Sequence, residues 1–512
     1  MPPLNNIQKT FLAAAVAQSL TTPVQAATIT VNSVADTSQA NPNTCTLRDA
    51  IIAANFDSTL IGSSCDAGSG ADTIELEGGT IILSDELPTI ESNVTINGPG
   101  QEALFIDGAS LHRHFTLFES SAALHLNDLT LKNGFDYRGG AIFARNGSVS
   151  ISNSTLSSNI ASNEGGAIYA YGGSVSISIS NSTLSSNIAS NDGGAIYAFS
   201  GSVSISNSTL SNNSADSGGA IYAYRGSSVS ISISNSTLSS NIASNEGGAI
   251  YAFSGSVSIS NSTLSNNSAN SGGAIYAYRG SSISISNSTL SGNSVSFEGG
   301  AINAQSRSNT SISNSTLSGN RASRSGGAIF AAGFGNDGPS IIISNSTLSG
   351  NSAAFGGGVY ARNNSSISVS NSILSGNMGN TSFVEIAISS NSSISTNNSI
   401  FSSSNTTSAE AFVNFDPIAS SATNLNLSSD AGNVPLAQIR EPLANNGGIT
   451  QTHKLPSGSP AIDAGSNTSC PATDQRGVSR NDGRCDIGAY EVDSSSFFVI
   501  PLPNGKGVVV PL

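Results

Sequence analysis

The sequence has no tryptophan, little charge, four cysteines and almost no proline across its middle. Each shortage excludes something. Only 10% of the 512 residues are charged, so this is not a self-repelling disordered polymer, and its regularly placed Ile, Val and Leu call for buried columns. Lys and Arg number 18 against 32 Asp and Glu, a formal charge of −14. That balance argues against nucleic acid and against plain docking on anionic lipid, since both need clustered cations. No apolar run reaches the ~18 residues of a membrane-spanning helix. Between Gly100 and Pro417 the only proline is Pro339, so almost nothing there removes donors from a strand ladder. The repeated region also lacks a 3.6-residue apolar period, which excludes helical repeats.

The chain opens on an export-type segment. Lys9 supplies the positive region, Phe11 to Leu20 (FLAAAVAQSL) the apolar region, and Val24 to Ala26 the small-residue cleavage site. A signal peptide is therefore expected over 1–26. The cysteines agree with an oxidising compartment, where two local disulfides, Cys45–Cys65 and Cys470–Cys485, are the natural pairing. The second would stabilise by roughly 3 kcal/mol in the chain-entropy picture. Neither pair has CxxC spacing or a nearby His, so metal binding is the weaker reading.

The middle is one paragraph written repeatedly. GGAIYAFSGSVSISNSTLSNN fills Gly193 to Asn213 and returns unchanged from Gly247 to Asn267, 54 positions later. Gly-Gly pairs begin at Gly139, Gly165, Gly193, Gly218, Gly247, Gly272, Gly299, Gly326 and Gly356, spaced 25 to 30 residues apart. A period of that size means a solenoid. In SVSISIS, Val175, Ile177 and Ile179 alternate with Ser, the mark of a strand with one buried face. GAIYAY likewise puts Ile168 and Ala170 on one face and Tyr169 and Tyr171 on the other, and Leu156 supplies a third inward position.

Three short strands per ~26-residue turn describe an all-β parallel β-helix, about 13 rungs and roughly 60 Å long, and the form expected of it is the right-handed, pectate-lyase-like solenoid. Gly-Gly permits a tight positive-φ corner. Asn153, Asn181, Asn207, Asn235, Asn261, Asn287, Asn314, Asn345 and Asn371 are expected to stack at a second corner, their amides bonding along the column.

The pairing of GGAI with LSSN resembles the GGA(I/V/L) and FxxN repeat of chlamydial-type polymorphic outer membrane proteins, with Leu in place of Phe. It covers about half the chain and implies a surface-exposed β-helical passenger with possible outer-membrane association. The residues after Asn377 lack the ~10-residue lipid-facing strands of a membrane barrel, so self-insertion is not expected. At the N-terminal end, Cys45 to Asn55 (CTLRDAIIAAN) resembles the CSLREAI segment of exported bacterial β-helix proteins. Thr46 and Asp49 form a capping box, with Leu47, Ala50, Ile51 and Ala54 at helical spacing, which predicts a helical cap. Leu443 to Gly465, Asp474 to Arg480 and Cys485 to Glu491 together resemble the choice-of-anchor Q module, which implies export and surface association and is read here as a disulfide-bonded C-terminal cap. The tail FFVIPLPNGKGVVVPL predicts a hairpin about Asn504-Gly505 or a sorting signal.

Candidate chemistry lies on repeated columns and at the unrepeated ends. If Ile faces inward, Tyr169, Tyr197, Tyr222, Tyr251 and Tyr276 form one outward aromatic column, with Phe143, Phe330 and Tyr360. Tyr171, Phe199, Tyr224, Phe253 and Tyr278 form a second. These rings can bind glycans or partner surfaces, or simply stack on one another. Glu164, Asp192, Glu246 and Glu298 precede Gly-Gly, with Asp216 one place earlier. A carboxylate column can recruit Ca²⁺, but Asn270 and Arg324 interrupt it, no GGxGxD signature is present, and solvated turn residues are the better reading.

The Thr155, Thr183, Thr209, Thr237 and Thr263 column raises ice binding as a minor alternative. Polysaccharide lyases and hydrolases use this fold, and an enzyme needs a unique cleft, which near-identical rungs do not supply. The unique polar groups are Asp107, His112, Arg113, His114, His125 and Asp128 early, and His453, Asp463, Asp474 and Arg476 late. The late group is expected to tie the module's loops together.

The expected organisation is a signal peptide (1–26), a cap with irregular coils (27–135), regular repeats (136–380), last coils (381–440), the anchor-type module (441–493) and a tail (494–512). The function expected is adhesion or surface interaction with glycans or cell-surface proteins, without cofactor. The alternative is a polysaccharide lyase or hydrolase. Repetition favours the first, because adding rungs lengthens a rod without disturbing a site elsewhere.

Overall fold

The computed structural model describes residues 26–511 except 38, 120, 174, 225–228, 380–384, 403–411, 415–435, 481–482, 493–496 and 502–506. The expected signal peptide thus falls almost wholly outside the described residues. One turn shows the construction. Ser202–Ser206 alternates its inward Val203 and Ile205 with Ser; Thr209–Ser211 buries Leu210; Ser214–Ser217 follows; and Ile221–Tyr224 carries the chain into the next turn. Each strand pairs in parallel with its counterpart one turn later, as Val203 with Ile231, Leu210 with Leu238, and Ile221 with Ile250.

The turns therefore build four parallel sheets, not three. Sheet I (the Ser-Val-Ser-Ile strands) has 14 strands, sheet II (Thr-Leu-Ser) 13, sheet III 8 and sheet IV (Ile-Tyr-Ala) 12 among the described residues. Sheet III was not expected because its segment, Ile160–Glu164 in one turn, buries little more than an alanine and lacks an apolar alternation. Its strands are held by the ladder bonds of their neighbours, with a narrow column of small side chains such as Ala161, Ala189 and Ala215 beneath them. Inside the coil a single apolar column runs from Ile29 to Phe401.

Both corners rest on backbone geometry that few residues tolerate. Gly165 has φ +68°, and a Cβ on Gly166 would stand 2.1 Å from the Gly194 carbonyl oxygen, so neither accepts a side chain. At the other corner Asn153 and its equivalents through Asn371 sit at φ 45–49°, the left-handed region that Asn tolerates. The amide ladder expected of their column is seen at one step among the described residues, where Asn371 Nδ2 donates to Asn345 Oδ1 at 3.2 Å, and the continuous ladder lies elsewhere. That ladder runs through the second Asn of each NSTLSSN unit. Asn187 Oδ1 accepts from the Asn159 backbone N–H and from Asn159 Nδ2, both at 3.0 Å, and Asn187 Nδ2 donates to the Leu156 carbonyl. The pattern repeats to Asn377, where the buried Glu385 carboxylate replaces the next amide oxygen. Burial pushes the Glu385 pKa up to about 8. A parallel serine ladder, in which Ser154 N–H donates to Ser182 Oγ at 3.1 Å, lines the same corner.

The N-terminal end is closed as expected. Helix Leu47–Phe56 starts on the Thr46–Asp49 capping box and buries Leu47, Ala50, Ile51 and Ala54 against the first coils. Both disulfides, Cys45–Cys65 and Cys470–Cys485, are present.

The C-terminal module carries its expected disulfide, and its described residues pack beside the coil. It lies along the outside of sheet II, across several turns. Gln475 donates to Thr289 Oγ1 and accepts from Thr316 Oγ1, and Asn314 donates to the Thr473 carbonyl. Asn371 exchanges bonds with Ser466, and His453 Nε2 meets Ser318 Oγ at 3.0 Å. Its apolar anchor is specific: Ile439, Leu455, Ile487 and Tyr490 pack on Ile373 and Ile400. Ile373 and Ile400 occupy the register position that is Thr in Thr347 and the turns before it. The last residues include Phe497–Pro501 paired antiparallel with Gly507–Pro511, the two arms of the expected hairpin.

Candidate functional site

The early polar group does not converge on a cleft. Asp107 pairs with Lys132 at 3.5 Å and accepts from Asn133; burial opposes its ionisation, but the Ala109 amide, Asn133 and Lys132 hold its pKa below the usual range. His114 is inside the coil, with Nε2 2.9 Å from the Ile106 carbonyl oxygen, and burial lowers its pKa to about 4. Arg113 pairs with Asp136 at 2.5 Å, donates to the Gly139 and Arg138 carbonyls and lies over Phe143. Asp128 takes the left-handed corner position (φ 58°), His112 is half-buried, and His125 faces outward on sheet I. Asp107, Arg113 and His114 thus brace the first coils.

The late group knits the module, as expected. Arg476 pairs with Asp474 at 2.6 Å, over the Tyr490 ring, and the Asp463 amide donates to Asp486. Sequence reasoning missed the buried Arg480–Glu491 pair (2.6 Å) beside them, although both residues sat within the quoted segments.

The aromatic columns do converge, and they differ from each other. Alternation places Tyr169 and Tyr171 on the outward face of sheet IV, yet the first column is buried: Tyr169, Tyr197, Tyr222, Tyr251 and Tyr276 are 4–9% exposed. Turn spacing lets their rings stack nearly parallel, Tyr197 on Tyr222 at 5.3 Å and 5°, Tyr222 on Tyr251 at 4.6 Å and 9°. The exposed flank expected of this column is corrected: its rings cover one another, and the second column covers their sides. That outer row, Tyr171, Phe199, Tyr224, Phe253 and Tyr278, is tilted rather than stacked, with centroids 4.9 to 5.6 Å apart. Tyr171 is 39% exposed and the others are half-buried. At the next turn the inner stack breaks at the buried Asn303 and the outer row ends at Gln305.

Just across the Gly-Gly corner from the Tyr stack run the carboxylates. Arg138 pairs with Glu164 at 2.6 Å. Asp192 is pushed up to about 7 by burial, then by Glu164, Asp216 and Glu246. Burial likewise raises Glu246, against the Ser217 hydroxyl that donates to it. Burial raises Tyr169 to about 12 and holds Tyr197, Tyr222, Tyr251 and Tyr276 higher still, so the phenols remain neutral donors. Among the described residues no three His, Cys, Asp or Glu side chains converge as metal ligands. Rings, carboxylates and the guanidiniums of Arg138 and Arg145 line an open groove of about 780 Å³. The partly open outer rings of such a groove can pack on a sugar face, and its carboxylates can accept sugar hydroxyls.

Family models match at this stretch. Residues 219–401 match a right handed beta helix region, and residues 153–171, 181–198 and 207–224 match the Chlamydia polymorphic membrane protein repeat. The fold is thus a right-handed parallel β-helix, part of whose turns are similar to that repeat. The three repeat matches include the lining residues Glu164, Tyr169, Tyr171, Asp192, Tyr197, Tyr222 and Tyr224 but not Arg138, Phe143, Arg145 or Phe199. No curated protein sequence matches the chain. Among solved structures it is similar to a PL6 alginate lyase in complex with a trisaccharide (12% identity, TM-score 0.45, covering 92% of this chain and 96% of that one). It is also similar to a GH87 alpha-1,3-glucanase from Streptomyces thermodiastaticus (13%, 0.34, 72% and 64%) and to a mannuronic acid specific family 6 lyase from human gut microbiota (8%, 0.31, 72% and 87%). At those identities and TM-scores the likenesses carry no inference about chemistry.

Proposed function

We propose that the chain is an exported β-helical rod, displayed at or released from a cell surface, that works in adhesion by binding glycans along the aromatic groove. The observation that carries this reading is the outer row. Five half-open rings at turn spacing lie over a stacked tyrosine floor, beside carboxylates able to accept sugar hydroxyls. Each ring offers a weak platform, and several engaged at once give avidity without a deep pocket. The polymorphic-membrane-protein repeats and the two disulfides support export. No helix among the described residues is long and apolar enough to cross a membrane.

A glycan array probed with the mature chain tests this. Binding is expected to fall at least tenfold in the triple variant Phe199→Ala, Tyr224→Ala, Phe253→Ala, equivalent to about 1.4 kcal/mol. Unchanged binding would move the site off the groove, and capture of a protein partner in place of any glycan would replace the glycan reading. The same chain incubated with uronate polysaccharides, with and without Ca²⁺, is expected to release no unsaturated product. Release would establish a lyase instead.

A further inference from the structure

Beyond Tyr278 the same stripe of surface turns from balanced charge to net positive. The turn after each sheet IV strand here adopts left-handed backbone, at Arg279 (φ 52°) and Arg307 (φ 62°), and both side chains face one cavity of about 600 Å³. The turns are fixed to each other by bonds from the Gly280 amide to the Ser306 carbonyl and from the Arg307 amide to the Asp337 carbonyl. Arg279 lies over the rings of Phe253 and Tyr278, 5.5 and 5.4 Å from their centroids, and no ion pair holds it among the described residues. Phe334, 67% exposed, forms another wall.

Among the described residues the only carboxylate lining this cavity, Asp337, is already paired with Arg307 at 2.5 Å. The neighbouring groove is balanced differently: its two arginines share the lining with Glu164 and Asp192. A net positive cavity with aromatic walls therefore continues the aromatic row, and a guanidinium fork matches carboxylate and sulfate oxygens.

The geometry points to an anionic subsite: the Arg279–Arg307 cavity takes the carboxylate or sulfate group of an acidic sugar, on a glycan whose neutral residues lie along the outer aromatic row. This rests on the glycan-binding reading and adds a polarity to it. The ligand runs with its acidic unit toward the C-terminal end of the rod.

Two measurements test it on the full mature chain. Calorimetric titrations compare xylohexaose with its glucuronate-branched counterpart, and an agarose oligosaccharide with a carrageenan one, separating carboxylate from sulfate as the source of the anion. At low salt the acidic member of at least one pair is expected to bind about tenfold tighter. That advantage should vanish in Arg279→Gln/Arg307→Gln and at high salt, and survive in Arg145→Gln. Separately, crystals soaked in selenate should show an anomalous peak between Arg279 and Arg307 that the double variant lacks.

An acidic preference that survives the double variant, or that disappears with Arg145→Gln, overturns the assignment. So does neutral binding with no acidic preference and no selenate peak, a result that leaves the glycan reading standing. Absence of all oligosaccharide binding together with an empty cavity removes both.

Discussion

The turns from Asn153 to Ser265 and those from Asn287 to Ser375 carry almost the same corner sequence, yet they have different surroundings. In the first set Thr155, Thr183, Thr209, Thr237 and Thr263 are half-exposed. In the second set Thr289, Thr316 and Thr347 are fully buried, because the C-terminal module lies on them. The repeat dictates the turn; residues outside the repeat decide what its surface meets. What localises the module is the exchange of Thr for Ile at positions 373 and 400, where the polar column becomes an apolar seat.

Reverting that exchange is the largest test of the comparison. Ile373→Thr restores the repeat's own residue, removes a fully buried side chain and leaves a hydroxyl facing Leu455 and Ile487. A loss of about 2 kcal/mol or more is expected, confined to module docking. Hydrogen exchange should then rise at Gln475 and across the Thr289–Thr347 flank while the Asn159–Asn377 ladder stays protected. Equal protection before and after would mean that the polar contacts alone hold the module.

A smaller effect separates two identical residues. Thr316 Oγ1 donates to Gln475 Oε1 at 2.7 Å inside the covered flank, so Thr316→Ala is expected to cost about 1 kcal/mol. Thr209→Ala, on the open flank, should stay within about 0.5 kcal/mol. Denaturation midpoints of the two variants check this, and equal shifts would erase the distinction between the flanks.

Much of this architecture is legible in the residues. Strict Ser/Val/Ile alternation and the Gly-Gly period specify sheets I, II and IV and the apolar column, because burial of one face follows from a period of two. The Thr46–Asp49 box specifies the cap helix by local chemistry alone. Three features escape for physical reasons. Sheet III has no apolar alternation of its own. The choice between Asn153 and Asn159 as the amide ladder depends on which one turns inward at a left-handed corner, and the spacing of a motif with two Asn does not reveal that. The inner tyrosine stack reads as outward by alternation and is outward of the core, but repetition buries it under its own copies; period-two logic counts faces, not neighbours along the axis. The module's lateral docking was written at Ile373 and Ile400, as a break in the Thr column.

The smallest expected effect concerns the wall of the groove. Burial and the carboxylates of Glu164, Asp216 and Glu246 hold the Asp192 pKa near 7, and the phenols of Tyr197, Tyr222 and Tyr251 stand beside it as neutral groups. An unfolded Asp titrates at about 3.9. Between those values the folded rod keeps a proton that the unfolded chain has released, so stability at this site falls as pH rises through the window and is fully present below it. Asp192→Asn replaces the carboxyl with a neutral group of the same shape. The variant should match the parent near pH 4 and exceed it modestly near pH 8, the difference opening between about pH 4 and about pH 7. Denaturation midpoints for both chains at several pH values measure that difference, and subtraction removes raised carboxyls remote from Asp192, such as Glu385 and Asp486, which both chains share. If the two curves stay parallel, Asp192 ionises freely, and the wall is a solvated acidic edge rather than a partly neutral one. An Asp192 that is neutral below about pH 7 and charged above it also predicts that a sugar hydroxyl beside it meets a stronger acceptor on the alkaline side, so glycan affinity and rod stability should move in opposite directions across the same window.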